Sequence, residues 1–411
     1  MKKISNIAAL AATAAFLPFS AMADTADGDA LNGMGWDEIV ELARGGEVNW
    51  FMWGGSDKIN QYVSEYVGDI LESDYGVTLN RVGVTDTASV VNIVHGEREA
   101  GNVDNGTVDM IWINGENFRT MRQGDLVYCG YPDVLPNIAL VDWDNPAIAN
   151  DFGVPVDGCE VPWNTVQFSF AYNTALYDTP PKSIPDLLEW IKANPGQFTY
   201  PAPPDFNGSV FVRHVLYHAA GGVENLLGEF DQERFDTVAA ETWRILNDIE
   251  PYLWREGQTY PATIAALQQL YANQEVGIIF NYSAADVGIN IENGTFPPTT
   301  QGYAMDDGTI GNTNYTLIPF NSPNKAAALV LQNVLLSADA QVQKALPAVW
   351  GTNPGIDMSR VTGDLRATFD AIERHPNVVP AEDLATTSLP ELQASWISAI
   401  EQGWIENVGS K

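Results

Sequence analysis

Residues 47–56 read Glu47-Val48-Asn49-Trp50-Phe51-Met52-Trp53-Gly54-Gly55-Ser56, and this stretch decides the fold. Seven mostly apolar residues stop abruptly at two glycines and a serine, the pattern of a buried strand running into a turn. Ile59, Tyr62, Val63, Tyr66, Val67 and Ile70 then recur at three- and four-residue spacing, which is one apolar face of a helix. Gly76 ends that helix, and Val77-Thr78-Leu79-Asn80-Arg81-Val82 reads as the next strand. Strand, glycine turn, helix, strand is a βαβ unit.

The unit recurs outward from there. Residues 88–100 read as a helix and 108–113 as a strand ending in Asn114-Gly115-Glu116-Asn117. Residues 130–160 are rich in Pro, Asp, Asn and Gly and read as loop. A strand is expected at 165–172, a helix at 186–193, a short strand at 198–201 and a helix at 210–220. Helices at 231–250 and 261–272 precede a strand at 276–280. Residues 299–314 hold many Gly, Asp, Asn and Thr; 316–319 is strand-like, and 326–337 and 340–346 are helical. A mainly helical tail runs from 367 to 408. Alternating strands and helices predict an α/β chain with mostly parallel sheets.

The chain has 411 residues, 20 basic and 53 acidic, for a formal charge of -33. That length suits two or more compact units. A charge so negative repels phosphate backbones and anionic membrane surfaces, which excludes nucleic acid as a partner. The N-terminus carries Lys2 and Lys3, an apolar run from Ile7 to Phe16 and Ala21-Met22-Ala23, the grammar of an export signal cleaved near Ala23. Its removal takes two lysines and no acids, leaving a formal -35. A bacterial periplasm is the expected location. In an oxidising compartment Cys129 and Cys159 most simply form one disulfide, free thiols being the alternative; they lie too far apart for a C-x-x-C redox pair.

Enzyme signatures are sparse. No phosphate-binding, nucleophile-elbow or zinc-protease motif is present. Four histidines leave little acid–base capacity. His214 and His218 stand at zinc-ligand spacing on a predicted helix, without a third ligand nearby. Asp306-Asp307-Gly308 lacks the twelfth-position Glu of a calcium loop and reads as a turn. Neither catalytic residues, nor a metal, nor a cofactor are assigned.

Binding features are richer. Ligands of open parallel sheets sit at the carboxyl ends of the strands. Here those ends carry Trp53-Gly54-Gly55, Asn114-Gly115-Glu116-Asn117 and Asn281-Tyr282. Asn207-Gly208-Ser209 opens a helix with Arg213 in an early turn. A helix N-terminus with a guanidinium suits a carboxylate, phosphate or phosphonate; otherwise Arg213 pairs with a nearby acid. Trp53 and Trp163 either stack on a flat or cationic ligand part or belong to the core.

These segments resemble bacterial ABC-transporter extracellular solute-binding proteins of the type II periplasmic binding protein superfamily. The resemblance rests on the Trp-Gly-Gly strand end, on 108–115, on Val161–Asn173 as a hinge-crossing strand, and on Pro181-Lys182-Ser183-Ile184-Pro185-Asp186-Leu187. Ile318–Ala328 followed by Leu335-Leu336-Ser337 completes it, and together the segments span 47–405. The Phe206-Asn207-Gly208-Ser209 turn and the aromatic C-terminal helices resemble the YnjB-type subgroup.

The resemblance implies two Rossmann-like lobes with mixed, mostly parallel sheets, joined by crossover strands near 165–172 and 302–313. Lobe 1 would hold 24–164 and 313–411, lobe 2 would hold 165–312, and packing of the C-terminal helices on lobe 2 stays open. It implies a monomer that captures a small polar solute with an anionic group and delivers it to an ABC permease and ATPase. Ligand contacts fall to Trp53, Gly54, Gly55, Asn114, Gly115, Glu116, Asn117, Trp163, Asn207, Gly208, Ser209, Arg213, Asn281, Tyr282 and Asn312. The alternatives are a polyamine- or thiamine-type cation binder of the same fold, a secreted carboxylate-dependent hydrolase, or a structural envelope protein. The absence of adjacent tyrosines weighs against ferric ion.

Overall fold

In the computed structural model, which describes residues 28–409, strand β1 (Glu47–Trp53) lies parallel to β2 (Thr78–Val84) in unbroken register from Glu47↔Thr78 to Trp53↔Val84. The expected export signal lies outside the described residues. The chain between these strands is helical over 57–75, with π turns at Tyr62–Val67 and Leu71–Tyr75. Gly76 stops it at φ +65°, a left-handed conformation that a side chain disfavours. Strand β3 (Met110–Ile113) flanks β1 on the other side, also parallel.

A short hairpin of β4 (Asn150–Asp151) and β5 (Val154–Pro155) precedes β6 (Glu160–Gln167). The chain breaks its pairing at Phe168 and continues as β7 (Ser169–Asn173) into a second sheet with β8 (Ile278–Asn281) and β9 (Thr300–Tyr303). It returns through β10 (Thr309–Leu317), antiparallel to both β6 and β3, and later adds β11 (Asn353–Pro354) beside β6 and β12 (Ser388–Leu389) beside β10. The large sheet has the order β11-β6-β10-β3-β1-β2 and the small one β8-β7-β9.

Since β10 opposes both β3 and β6, strands β1, β2, β3 and β6 all run the same way. Their carboxyl ends therefore share one edge of the large sheet. The chain leaves the sheet from that edge after Gln167 and re-enters there at Thr309, so the small sheet lies beyond it. Phe168 N donates to Ile310 O at 2.9 Å, tying the two crossings together.

Apolar burial follows this division. One cluster surrounds the small sheet and includes Phe170, Phe211, Phe280 and Leu246. It also takes Trp396, Ile400 and Trp404 of the helix Ala394–Trp404, so the last helix packs on the small-sheet side. The two faces of the large sheet bury separate clusters, one around Trp50, Trp163 and Leu331 and one around Ile111, Phe118 and Leu317.

Two expectations change. Both pairings of the small sheet are antiparallel, so "mostly parallel" holds only for strands β1–β3 and β12. Residues 198–201 join no sheet; Trp254 N donates to Phe198 O, and the segment serves as a core wall. The polar stretch 299–314 is strand for most of its length. Its Asn and Gly residues disfavour strands by propensity, but pairing with β7 over 300–303 and with β6 over 311–314 overrides that.

Cys129 and Cys159 form the expected disulfide, with Cα atoms 4.1 Å apart. It ties a long loop back to the large sheet. Closing a loop of about 30 residues contributes on the order of 3–4 kcal/mol in the chain-entropy model. The double variant Cys129→Ser/Cys159→Ser should therefore lose about 3–4 kcal/mol in denaturant melts; an unchanged midpoint would contradict a stabilising role.

Candidate functional site

The carboxyl-end edge of the large sheet presents aromatic and amide groups. Trp53 closes β1 and remains 42% exposed, edge-on to Trp112 at 6.4 Å. Gly54 donates its N–H to Val84 O, and its own carbonyl receives Asn60 Nδ2 at 2.9 Å. Gly55 lies beneath the Trp53 ring, where any Cβ would collide with the indole. Trp112 Nε1 and Asn114 Nδ2 both donate to Asn314 Oδ1 of β10, at 3.1 and 3.2 Å. Gly115, at φ +64°, caps the helix Glu116–Gln123, and its N–H is held by both oxygens of buried Asp151. Glu116 projects into solvent and Asn117 is half-buried.

Trp163 is not part of that exposed surface. It is 1% exposed and packed edge-on against Trp50 and Trp112, with Trp350 at 5.0 Å. Lys344 Nζ lies 5.2 Å above its ring. The expectation of a ligand-stacking Trp163 is corrected: its faces are occupied by the protein's own rings and by the Lys344 amine, whose pKa burial pushes well below the usual lysine value.

The facing side is built on the helix Phe206–Ala219. Gly208 lies so close to Pro201 O that no other residue fits there. Asn207 is 9% exposed and its Oδ1 is buried without a hydrogen-bond partner among the described residues. Asp205 caps the helix, accepting from Asn207 N and Gly208 N at 3.0 Å each. An acid therefore already holds the amides expected to bind a ligand anion.

Arg213 is fully buried. Its Nη1 donates to Ser209 Oγ at 2.8 Å and its Nη2 to Glu391 Oε1 at 3.1 Å. Tyr282 OH donates to the same Glu391 oxygen at 2.7 Å. Burial, the largest single influence, disfavours the Arg213 charge, but Glu391 together with Tyr282, Tyr217 and Glu401 offsets it, and the guanidinium is held above its usual pKa. For Glu391 burial outweighs the guanidinium, and its pKa is raised. The anionic subsite expected at Arg213 is thus overturned: a residue 178 positions away neutralises the arginine.

The remaining positions separate. Asn281 pairs with Asp286 and sits beside Ser169 in the small sheet. Asn312 is buried in β10 opposite Val166, within the returning crossover. His214 accepts the N–H of Ile310 at Nε2 (3.1 Å) and lies 2.9 Å from Val210 O at Nδ1, so the Nδ1 carries the proton. Burial lowers its pKa to about 3. His214 is a hinge-strand support, and no metal-holding cluster occurs among the described residues.

Sequence reasoning missed the residues that join the two sides. Phe152 of the β4–β5 turn, at φ +44°, reaches Phe206 with ring centroids 6.4 Å apart. Phe206 is 39% exposed and leans on Tyr282 at 5.0 Å. Gln393 Nε2 donates to Gly153 O at 3.4 Å. Phe206, Ser209 and Arg213 were legible as one helix face by their three- and four-residue spacing; Glu391 and Phe152 carried no local signal.

Known proteins resemble this chain over most of its length. A family model described as "Bacterial extracellular solute-binding protein" matches residues 67–359, and the chain belongs to that family. Among curated relatives, Protein YnjB of Escherichia coli K12 is 35% identical over 375 residues, covering 91% of this chain and 94% of its own. An ABC transporter protein from Clostridium perfringens superposes with a TM-score of 0.62 at 14% identity, over 88% of this chain and 99% of its own. The spermidine/putrescine ABC transporter substrate-binding protein PotD of Streptococcus pneumoniae gives 0.63 at 11% identity, over 88% and 98%.

The fold is that of type II periplasmic binding proteins. The chain is an extracellular solute-binding protein of ABC transporters, and family and fold are those of transport-associated binding proteins. Membership implies a small-molecule ligand and an ABC permease as partner.

Breaking a buried ion pair by removing one partner costs about 3–5 kcal/mol, more than the roughly 1.5–3 kcal/mol of a charged hydrogen bond to a ligand. Arg213→Ala should therefore show first as a stability loss of about 3–5 kcal/mol in equilibrium unfolding. An unchanged stability would return Arg213 to the list of ligand contacts.

Proposed function

We propose that this protein is the periplasmic receptor of an ABC importer and closes two lobes over a small polar solute. The observation that carries this reading is the pair of adjacent crossings at Phe168 and 304–308, tied by the Phe168–Ile310 hydrogen bond, between separately cored sheets. Such a pair of links is a hinge. Lobe 1 is built on the large sheet and lobe 2 on the small one, with boundaries near 165 and 309. The helix Ala394–Trp404 belongs with lobe 2, supported by its place in the small-sheet core.

The solute lies between Trp53, Asn114 and Glu116 on one side and Phe206 and Tyr282 on the other. An export signal ending near Ala23 accounts for delivery to the periplasm. No described helix is long and apolar enough to cross a membrane.

A thermal-shift screen over amines, amino acids, phosphonates and sugars tests the reading. A solute at 100 times its Kd should stabilise by about 2.7 kcal/mol and be recovered chemically unchanged. Conversion of the stabilising compound into product would contradict it.

A further inference from the structure

Glu391 lies where the two sides meet, and its carboxylate is only half used. Oε1 receives both Arg213 Nη2 and Tyr282 OH, whereas Oε2 has no hydrogen-bond partner among the described residues. The side chain is 5% exposed. A buried carboxylate oxygen without a donor costs free energy that a protein ordinarily avoids. Three further acids bear on the same place. Burial first, and then the Glu116 charge, raise the pKa of Asp151, Glu391 and Glu401, with Arg213 the cation set against Glu391 and Glu401. Asp151 already spends its oxygens on Gly115 N–H, and Glu401 is bonded to Ser209. Glu391 Oε2 is the acceptor left over.

Its surroundings suit an organic cation. Phe206 and Tyr282 form an aromatic wall beside it, Phe152 adds a ring from the opposite side, and Trp53 stands exposed at the strand end. Ring faces attract a desolvated cation, and the carboxylate supplies a directed acceptor.

We infer that Glu391 Oε2 is the solute's polar anchor, accepting an N–H from a protonated amine or guanidinium flanked by Phe206 and Tyr282. This rests on the solute-receptor reading and names the class of solute. The arginine that first suggested an anion instead holds Glu391 in place: with Oε1 fixed by two donors, Oε2 is oriented toward the ligand. Arg213 is a positioning residue.

The test uses spermidine and agmatine as probes, with choline as a cation lacking an N–H donor, and with citrate and maltose. Spermidine or agmatine at 10 mM should raise the melting temperature of the full-length mature protein, while choline, citrate and maltose should not. Glu391→Gln, folded by circular dichroism, should weaken the bound amine at least tenfold. A crystal structure of the wild-type amine complex should place a ligand nitrogen within hydrogen-bond distance of Glu391 Oε2, and it decides the matter if the variant fails to fold.

An amine bound equally well by folded Glu391→Gln, or a ligand nitrogen elsewhere, would overturn the assignment. So would stabilisation by citrate or maltose with neither amine active, an outcome that leaves the receptor reading standing. No shift with either amine would overturn it as well.

Discussion

The antiparallel ladder between β6 and β10 is the constraint on which the rest of the structure depends. It runs from Leu317↔Glu160 to Gly311↔Gln167 and ends where both chains leave the large sheet. Beyond it the Phe168–Ile310 hydrogen bond remains between the crossings, and His214 receives Ile310 N from the side of the small sheet. A ladder resists shear along its length, whereas single hydrogen bonds at its end allow rotation. Placing the break at the carboxyl-end edge brings the strand-end loops of one core opposite the helix Phe206–Ala219 of the other.

The second constraint is electrostatic. In a chain of formal charge -33 a buried acid left without donors is costly. Asp205 and Asp151 spend theirs on backbone N–H groups at helix starts. Glu391 takes Arg213 and Tyr282. The one arginine of the helix is thereby used to hold an acid at the junction.

The parallel β1–β2 pair, the turn after Trp53 and the disulfide were legible in the sequence because each is set by local pattern or by composition. Strand β10 was less so. Its Thr309-Ile310-Gly311-Asn312 start lies in a stretch of Gly, Asp, Asn and Thr with low strand propensity, and pairing with β12 and β6 makes it a strand. Arg213 shows the limit most clearly. Its helix, its position near the first turns and its standing as the one arginine of that helix were all readable, yet its role depends on Glu391, far away in sequence. Trp163 fails in the same way. Its neighbours Trp50, Trp112 and Trp350 come from three other segments, and burial by them is a tertiary fact.

The central claim is that two cores move about one hinge to enclose a solute. It is tested most directly by measuring the distance between them. Spin labels at Ser73→Cys and Glu233→Cys, both exposed and on opposite cores, report that distance by double electron–electron resonance. Adding a compound that raises the melting temperature should shift the distribution to a single shorter, narrower peak. A distribution unchanged by a saturating ligand would contradict the hinge account.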